Sequence, residues 1–446
     1  MIKQRFSRFR SYLGSEGLGP FLARALAGSA MVQFAGMAFA FLVGVQLARG
    51  LGASGFGYYG MAMAIITVAT LPAAMGLPKL VMREVAAADA RDDAPAVLGV
   101  LRWATRASWR MSLLVSLLVA GGAAVAFARG STVLGFAVLA GIPMIPLLPL
   151  ANIRAGALRA LHRVVLSQLV MVLLRPMGLS ILLFALLIAN RPITAPGAVA
   201  LTTLVAAAVL IAAQVMLKPR LPKAEPRLDE HRSWLSSTIP MALSDAVQSL
   251  QWQLATIALG LLATAAEVGI LRVATSTAIV TGVPAIILAS AVVPMFARLH
   301  AVGEHAQLQR LATLGARLQF TAVAMIVLPL MVGAEFLLST LFGPTFAPAA
   351  PTLRILLIGQ LITTAFGANG ALLNMTGHER RVTRGVGIGL ALNISLVLLL
   401  AGHWGSVGTA VAVVASQLCW NLLLWWDARR LLGIDTSIAG ARVGHR

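Results

Sequence analysis

Three arginines, Arg175, Arg272 and Arg354, interrupt long apolar stretches of this sequence, whereas only one carboxylate, Asp245, lies well inside such a stretch. Charged side chains in apolar helices are costly, and they usually face a polar cavity or a functional site. The surplus of positive charge therefore predicts an interior that binds an anion. Phosphate is the group that the planar guanidinium fork matches best. An alternative stays open for Arg272 and Arg354, which are each about one turn from a helix end and can reach interfacial water instead.

Polar residues recur at helical spacing around the aspartate. Asp245, Gln248 and Trp252 share one helical face, and Ser244 and Gln251 lie beside it. Such a stripe predicts a water-filled cavity. Asp245 itself has two interpretations: a titratable group that couples H⁺ or Na⁺ to transport, or a fixed ion pair that joins two helices. The candidate cavity residues are Arg24, Arg49, Arg175, Asp245, Gln248, Gln251, Trp252, Arg272, Arg354 and Gln360.

Twelve apolar stretches must position these side chains. Crossing the hydrocarbon layer of a bilayer takes roughly 20 apolar residues as a helix, and 59% of the 446 residues are hydrophobic while 11% are charged. The sequence therefore predicts an all-α integral membrane protein with about 12 transmembrane helices. The predicted spans are 22–47, 55–77, 111–128, 132–151, 166–189, 195–217, 236–262, 268–297, 313–341, 349–374, 385–401 and 405–427.

The basic residues predict the orientation, because most of the 35 Lys and Arg fall at the termini and on alternate loops. By the positive-inside rule, both termini and these loops are cytoplasmic. The loops on the opposite side hold few basic residues, namely Arg49, Arg129 and Arg191. The net charge of +20 is thus spread over loops that face anionic lipid headgroups, and it does not indicate binding of nucleic acid.

A polar segment divides the chain into two halves of six predicted spans. Residues 218–233 contain three prolines and mixed charges, which predicts an exposed linker. The predicted organisation is an N-lobe (1–217), this cytoplasmic linker, a C-lobe (234–428) and a cytoplasmic tail (429–446). An even number of spans per half gives both halves the same orientation, as in parallel repeats. Residues 51–72 align with 262–284, and residues 156–163 align with 371–380, at an offset close to 212–216 residues, which favours such a repeat.

Sites for enzymatic chemistry or metal binding are not evident from the sequence. The longer cytoplasmic loops carry no glycine-rich phosphate loop, no HExxH and no Cys/His cluster. The predicted outer loops are very short and offer Glu267 and little else. The lone cysteine, Cys419, lies in the last span, so no internal disulfide is predicted. These observations favour a transporter without a cofactor over a membrane enzyme such as a polymerase or an acyltransferase.

Several motifs resemble those of a known family. Residues 47–87 are similar to the N-terminal signature of polysaccharide-export flippases of the multidrug/oligosaccharidyl-lipid/polysaccharide superfamily, which reads approximately LAR-LG-x-x-x-FG-x-Y followed by GLP and R-E. Residues 268–276 and 341–356 resemble two further motifs of the second half. The stretch 253–260 lacks the aspartate that family members often carry there, which puts ion coupling through that aspartate in doubt. The matching residues of the signature are Leu47, Ala48, Arg49, Leu51, Gly52, Phe56, Gly57, Tyr59, Gly76, Leu77, Pro78, Arg83 and Glu84.

The resemblance implies a multi-pass flippase of the bacterial inner membrane. Its substrate would be a glycan on a polyprenyl diphosphate, and arginines of a V-shaped cavity between two six-helix lobes would meet the diphosphate. The headgroup would cross through the cavity while the prenyl tail stays in lipid, and one lobe would rock against the other. The role implies polysaccharide polymerases and glycosyltransferases as further partners, and it leaves the coupling ion open between H⁺ and Na⁺.

Two other classes of transporter share parts of this pattern. A cation-coupled multidrug exporter of the same superfamily would have the same fold, but such proteins usually place an acidic residue in the N-lobe, and no Asp or Glu occurs between Glu16 and Glu84. A major-facilitator carrier would also have twelve spans. It should show a short, tightly patterned second loop, whereas 78–110 is long and lacks that pattern.

Overall fold

The computed structural model describes residues 18–128, 130–221, 224–227, 250 and 253–440, and regular structure in these ranges is helical throughout. The all-α prediction is thereby confirmed. The helices are α1 Leu18–Ala74, α2 Leu77–Ala90, α3 Ala94–Ala128, α4 Thr132–Gly141, α5 Met144–Ala160, α6 Val164–Gln168, α7 Leu174–Ile188, α8 Ala195–Leu217, α9 Gln253–Leu262, α10 Ala265–Thr281, α11 Val283–Ala301, α12 His305–Val332, α13 Ala334–Phe342, α14 Ala350–Ala365, α15 Asn369–Met375 and α16 Glu379–Leu432.

Among the described residues, eight helical stretches are long and apolar enough to span a membrane, or nine if the bent pair of α10 and α11 is one span. Two of the eight break at a glycine with non-helical dihedral angles, Gly52 in α1 and Gly405 in α16. Gly52 lies in the predicted outer connection 48–54, and Gly405 is the first residue of the predicted span 405–427, directly after the predicted outer connection 402–404. The chain is therefore a multi-pass membrane protein, and the count of twelve spans and the side of each terminus stay predictions.

The segment 78–110 is the predicted cytoplasmic connection between two spans, and its charged residues at 83–93 predict a solvated, ion-paired helix. The segment is indeed helical. Helix α2 occupies its first part, and α3 begins at Ala94, well before the predicted start of the third span at 111. The exposed side of α2 carries an ion pair between Arg83 and Glu84 at 2.6 Å, as expected for a solvated, ion-paired helix. One face of α2 is fully buried and explains why it is ordered; this face consists of Leu77, Leu80, Val81, Val85 and Ala88.

A π-helical turn, Leu169–Leu173, joins α6 to α7 directly before Pro176. Proline lacks an N–H and disrupts the regular hydrogen-bond ladder on its N-terminal side. The first part of α1 crosses at this point, where a Cβ atom on Gly36 would lie 2.8 Å from the Val172 carbonyl oxygen. The turn and the crossing set the position of Arg175 at the start of α7.

The two halves meet where the second part of α1 crosses α10. A Cβ atom on Gly57 would overlap the carbonyl oxygen of Ala265, and one on Gly269 would overlap that of Ala53. Positions 57 and 269 are 212 residues apart, and so are positions 53 and 265. This separation agrees with the offset of the aligned segments. Reciprocal contacts of this kind are what a two-fold axis between repeats produces. Small residues thus allow two backbones to touch at the centre of the bundle.

Candidate solute cavity and the contacts that close it

Arg272 of α10 lies against the second part of α1 at the crossing of the two halves. Its guanidinium carbon is 5.6 Å from the ring centre of Phe56 and 5.3 Å from that of Tyr59. A Cβ atom on Gly60 would lie 3.0 Å from the Arg272 Cδ atom, so the absence of a side chain there makes room for the arginine stem. Cations over aromatic faces gain electrostatic attraction without a counter-ion. The aromatic rings therefore hold the charge in place, and no carboxylate among the described residues pairs with it.

Arg175 of α7 brings a second positive charge to the same region. It lies near enough to Arg272 for the two charges to repel each other, and both are within electrostatic range of Tyr59. Tyr59 is held in turn by a hydroxyl contact with Thr202 of α8, at 3.4 Å. Within the described ranges, neither guanidinium makes an ion pair or a side-chain hydrogen bond, and both side chains are half-buried. Two like charges without a counter-ion among the described residues favour the binding of an anion.

Arg49 lies instead at the break between the two parts of α1, where its side chain is exposed. Its Nε donates a hydrogen bond of 2.7 Å to the Leu341 carbonyl, and Nη2 donates to the Thr340 carbonyl. These carbonyls belong to the last turn of α13, whose C-terminal end carries partial negative charge. Arg49 therefore links the first half to the second by hydrogen bonds on the predicted outer side.

A cluster of aromatic side chains also joins the two halves. Phe41 of α1 packs edge-on against Phe342 at 5.8 Å, and Phe56 packs edge-on against Phe346 at 6.4 Å. Phe342 and Phe346 are 6.3 Å apart, and Phe56, Phe342 and Phe346 are fully buried. Edge-to-face aromatic pairs add to the energy of apolar burial. The Arg49 hydrogen bonds and this cluster close the predicted outer side of the bundle.

Arg354 and Gln360 serve the packing of the second half. The Arg354 Nε donates to the Met331 carbonyl of α12 at 3.0 Å, which links α14 to the end of the neighbouring helix. Gln360 lines a small cavity of about 70 Å³ together with Thr275 of α10 and Gln417 of α16. The structure thus brings Arg175 and Arg272 together and places Arg49 and Arg354 on helix ends.

The polar stripe of the predicted seventh span, Asp245, Gln248, Gln251 and Trp252, lies outside the described residues, and so does the side chain of Arg24. Their assignment to the cavity stays a prediction. Sequence reasoning did not select Tyr59 or Gly60, although both contact Arg272. The available signal was the run of glycines and aromatics at 55–60, because glycines three residues apart mark a close helix approach and aromatics beside it supply a surface for a cation.

Gln46 of α1 is a polar residue inside a predicted span that was not included among the candidate cavity residues. Its Nε2 donates to the Ser180 carbonyl of α7 at 3.3 Å, while its buried Oε1 has no hydrogen-bond partner among the described residues. The signal for it was an amide inside an apolar stretch.

Known proteins share the family and the fold of this chain. A family model described as polysaccharide biosynthesis protein matches residues 22–300. No curated protein matches the sequence. Among solved structures, an inward-facing multidrug resistance MATE family transporter of the MOP superfamily gives a TM-score of 0.73 at 13% identity, covering 92% of this chain and 97% of that one. The lipid II flippase MurJ in an inward closed conformation gives 0.74 at 9% identity, covering 90% and 87%.

An outward-facing MATE family transporter of the same superfamily gives a TM-score of 0.62 at 14% identity, covering 92% of this chain and 95% of that one. At these identities the likeness shows the fold.

Proposed function

The chain belongs to the polysaccharide biosynthesis protein family, and from this premise we propose that it is a flippase of the bacterial inner membrane that moves a polyprenyl-diphosphate-linked oligosaccharide from the cytoplasmic to the periplasmic leaflet. The fold, which is shared with solved membrane transporters, supports a transport role over a catalytic one. The observation that carries the proposal is the pair of half-buried guanidinium groups of Arg175 and Arg272.

A diphosphate suits this pair for two physical reasons. Each guanidinium offers a planar fork of N–H donors that matches two oxygens of a phosphate. An anion between two like charges also offsets their mutual repulsion, so its binding energy exceeds that of a single contact. The glycan and the diphosphate would lie in the cavity, and the prenyl tail would remain in the surrounding lipid.

The same two arginines can couple the binding of an anion to a movement of the two halves. Arg175 belongs to the first half and Arg272 to the second, so an anion held by both bridges the two halves. A ligand shifts a conformational equilibrium only by its differential affinity for the two states. A diphosphate that binds best when the arginines are close would favour closure around the headgroup, and the contacts at Arg49 and the aromatic cluster would then open to release it outward.

The likeness to a multidrug resistance MATE transporter raises a second candidate, an exporter of cationic drugs. A cationic drug would meet Arg175 and Arg272 as a repulsive barrier, and in the described part of the first half no carboxylate precedes Glu84 to attract it. The charge of the site therefore favours an anionic solute.

The test uses purified protein and undecaprenyl diphosphate as the probe, with undecaprenol as its uncharged counterpart. Arg272→Ala and Arg175→Ala should each weaken diphosphate binding roughly 10-fold to 100-fold, as expected for the loss of a hydrogen bond to a charged group. Lysine at either position should restore part of the affinity, because it keeps the charge but not the fork. Arg384→Ala removes an exposed charge from α16 and serves as the control, with unchanged binding.

In cells, the same two alanine variants should lose surface polysaccharide while the protein remains in the membrane. Equal binding of undecaprenol and the diphosphate would refute the anionic site. Normal export of polysaccharide by both alanine variants would refute the proposal that the flippase acts through Arg175 and Arg272.

A further inference from the structure

A separate basic pocket lies within the first half, away from the crossing of the two halves. It has a volume of about 480 Å³, and its polar side chains come from α3, α5 and α8. None of its lining residues belongs to α1 or to the second half. We call it the α3 pocket; it is lined by Leu98, Leu101, Arg102, Thr105, Arg106, Arg154, Gln214, Leu217, Leu221 and Pro226.

Arg154 is fixed at the centre of this pocket. Its Nε donates to the Gln214 Oε1 and its Nη1 donates to the Thr105 Oγ1, both at 3.1 Å. Its Nη2 has no hydrogen-bond partner among the described residues and is left for a ligand. A guanidinium that is already oriented by neighbours loses little entropy when an anion binds.

Arg102 and Arg106 flank it one turn apart on α3, and both are exposed. Among the described residues, the lining contains no carboxylate. The acidic side chains that lie nearby in the described chain are Asp93, which pairs with Arg227 at 2.6 Å, and Glu225, which is exposed beside Pro226. Three arginines therefore converge on one cavity without an acidic partner in the described part of its wall.

The depth of the pocket matches a lipid headgroup. Arg106 and Arg102 lie 22 and 26 residues before the end of α3 at Ala128, which corresponds to roughly 33 and 39 Å of helix. A hydrocarbon core is about 30 Å thick, so a span that ends at Ala128 on one surface places these arginines in the headgroup region of the other. This is the side that carries most of the Lys and Arg in the sequence.

The remaining wall is apolar and is formed by Leu98, Leu101, Leu217, Leu221 and Pro226. A free phosphate ion would lose hydration against such a wall, whereas a lipid would bury its glycerol and upper acyl carbons there. We propose that the α3 pocket binds the phosphodiester headgroup of an anionic phospholipid of the cytoplasmic leaflet. Basic pockets between transmembrane helices on that side are suited to such headgroups.

Native mass spectrometry of the purified protein tests the proposal with phosphatidylglycerol as the probe and phosphatidylcholine as its zwitterionic counterpart. The wild-type protein should retain phosphatidylglycerol at least tenfold more tightly. The double variant R102Q/R106Q should lose that preference. Its matched control is R380Q/R384Q, which removes two exposed arginines with the same spacing from α16 and should bind as the wild type does. Leu98→Trp, which fills the pocket without changing its charge, should also weaken retention.

Three outcomes would overturn the assignment. Equal retention of phosphatidylglycerol by R102Q/R106Q and R380Q/R384Q would show that the positive charge of the pocket does not contribute to lipid binding. Full displacement of phosphatidylglycerol by millimolar inorganic phosphate would assign the pocket to a free anion. Tighter binding of undecaprenyl diphosphate, lost in R102Q/R106Q, would assign it to the carrier lipid.

Discussion

Gly57 and Gly269 occupy equivalent positions in the two halves, and each faces a backbone carbonyl of the other half, that of Ala265 and of Ala53 respectively. The same offset of 212 residues relates Gly60 to Arg272, which also contact each other. On the axis between the halves, one repeat therefore contributes an arginine and the other contributes the space for it. The backbone contacts of the crossing are thus symmetric, whereas the positive charge of Arg272 comes from the second half alone.

Gly57→Ala should disrupt this crossing. A methyl group would overlap a backbone carbonyl oxygen, so the two helices must separate. Overpacking of this kind typically costs about 1–3 kcal/mol. We expect a lower thermal unfolding midpoint and a longer distance between spin labels at positions 192 and 264, measured by pulsed electron spin resonance. Gly44→Ala on the same helix is the control, because nothing lies within 4 Å of its Cβ position. A G57A protein with the stability of G44A would contradict the close crossing.

Arg49→Gln should weaken the closure of the predicted outer side. It removes the positive charge from the C-terminal end of α13 and the hydrogen bonds to the Thr340 and Leu341 carbonyls. A cation at that end contributes about 0.3–1 kcal/mol, and up to about 2 kcal/mol when partly buried. The same spin-label distance should shift toward longer values in a larger fraction of molecules. Arg191→Gln, which removes an exposed arginine from another short connection, should leave the distribution unchanged.

The sequence predicted well those features that depend on apolar length and on repeats. The breaks at Gly52 and Gly405 fall in or directly after predicted connections, because a run of apolar residues longer than one bilayer thickness must turn. The aligned segments favoured a repeat, and positions of the two halves that are 212 residues apart do meet at the crossing. Arg175 and Arg272 were selected because a charge in an apolar stretch is costly wherever the helix points.

The partners of individual arginines could not be predicted in this way. Arg49 and Arg354 donate to carbonyls of other helices, and backbone carbonyls leave no signal in the residue pattern. The charged residues of α2 indicated a solvated, ion-paired helix, but its buried face was not predicted, because that face is short and interrupted by charged residues. Tertiary packing against α5 and α3, which the local pattern does not contain, stabilises it.

The orientation can be tested by cysteine labelling in a Cys419→Ala background. Cysteines at 192 and 264 should react with an impermeant thiol reagent in whole cells, because both positions lie at predicted outer connections. Cysteines at 225 and 380 should react only after the membrane is permeabilised. Labelling of position 225 in intact cells would reverse the orientation and with it the leaflet proposed for the α3 pocket.

The segment that follows α16 folds back and is anchored by Asp435, whose carboxylate Oδ1 accepts hydrogen bonds from the Trp425 Nε1 at 2.8 Å and from the Ser437 hydroxyl at 2.7 Å. Burial raises the pKa of Asp435, but these bonds and the charge of Arg429 outweigh it and hold the pKa below its usual range. A carboxyl group with a lowered pKa in the folded state stabilises the fold at pH values above its unfolded pKa of about 3.9, and this contribution is lost as the pH falls through the folded value.

Asp435→Asn should therefore lower the thermal unfolding midpoint at pH 7, where the carboxylate is charged. Removing one partner from buried hydrogen bonds costs about 1–3 kcal/mol. The difference between the variant and the wild type should begin to shrink below about pH 4, where the unfolded chain binds a proton, and it should be lost as the pH falls through the lower pKa of the folded carboxyl. Asp427→Asn removes a carboxylate whose nearest basic atom, on Arg381, is 3.9 Å away, and it should have a small effect at every pH. A D435N difference that is the same at pH 7 and at pH 3.5 would show that the anchor does not depend on the charge of Asp435.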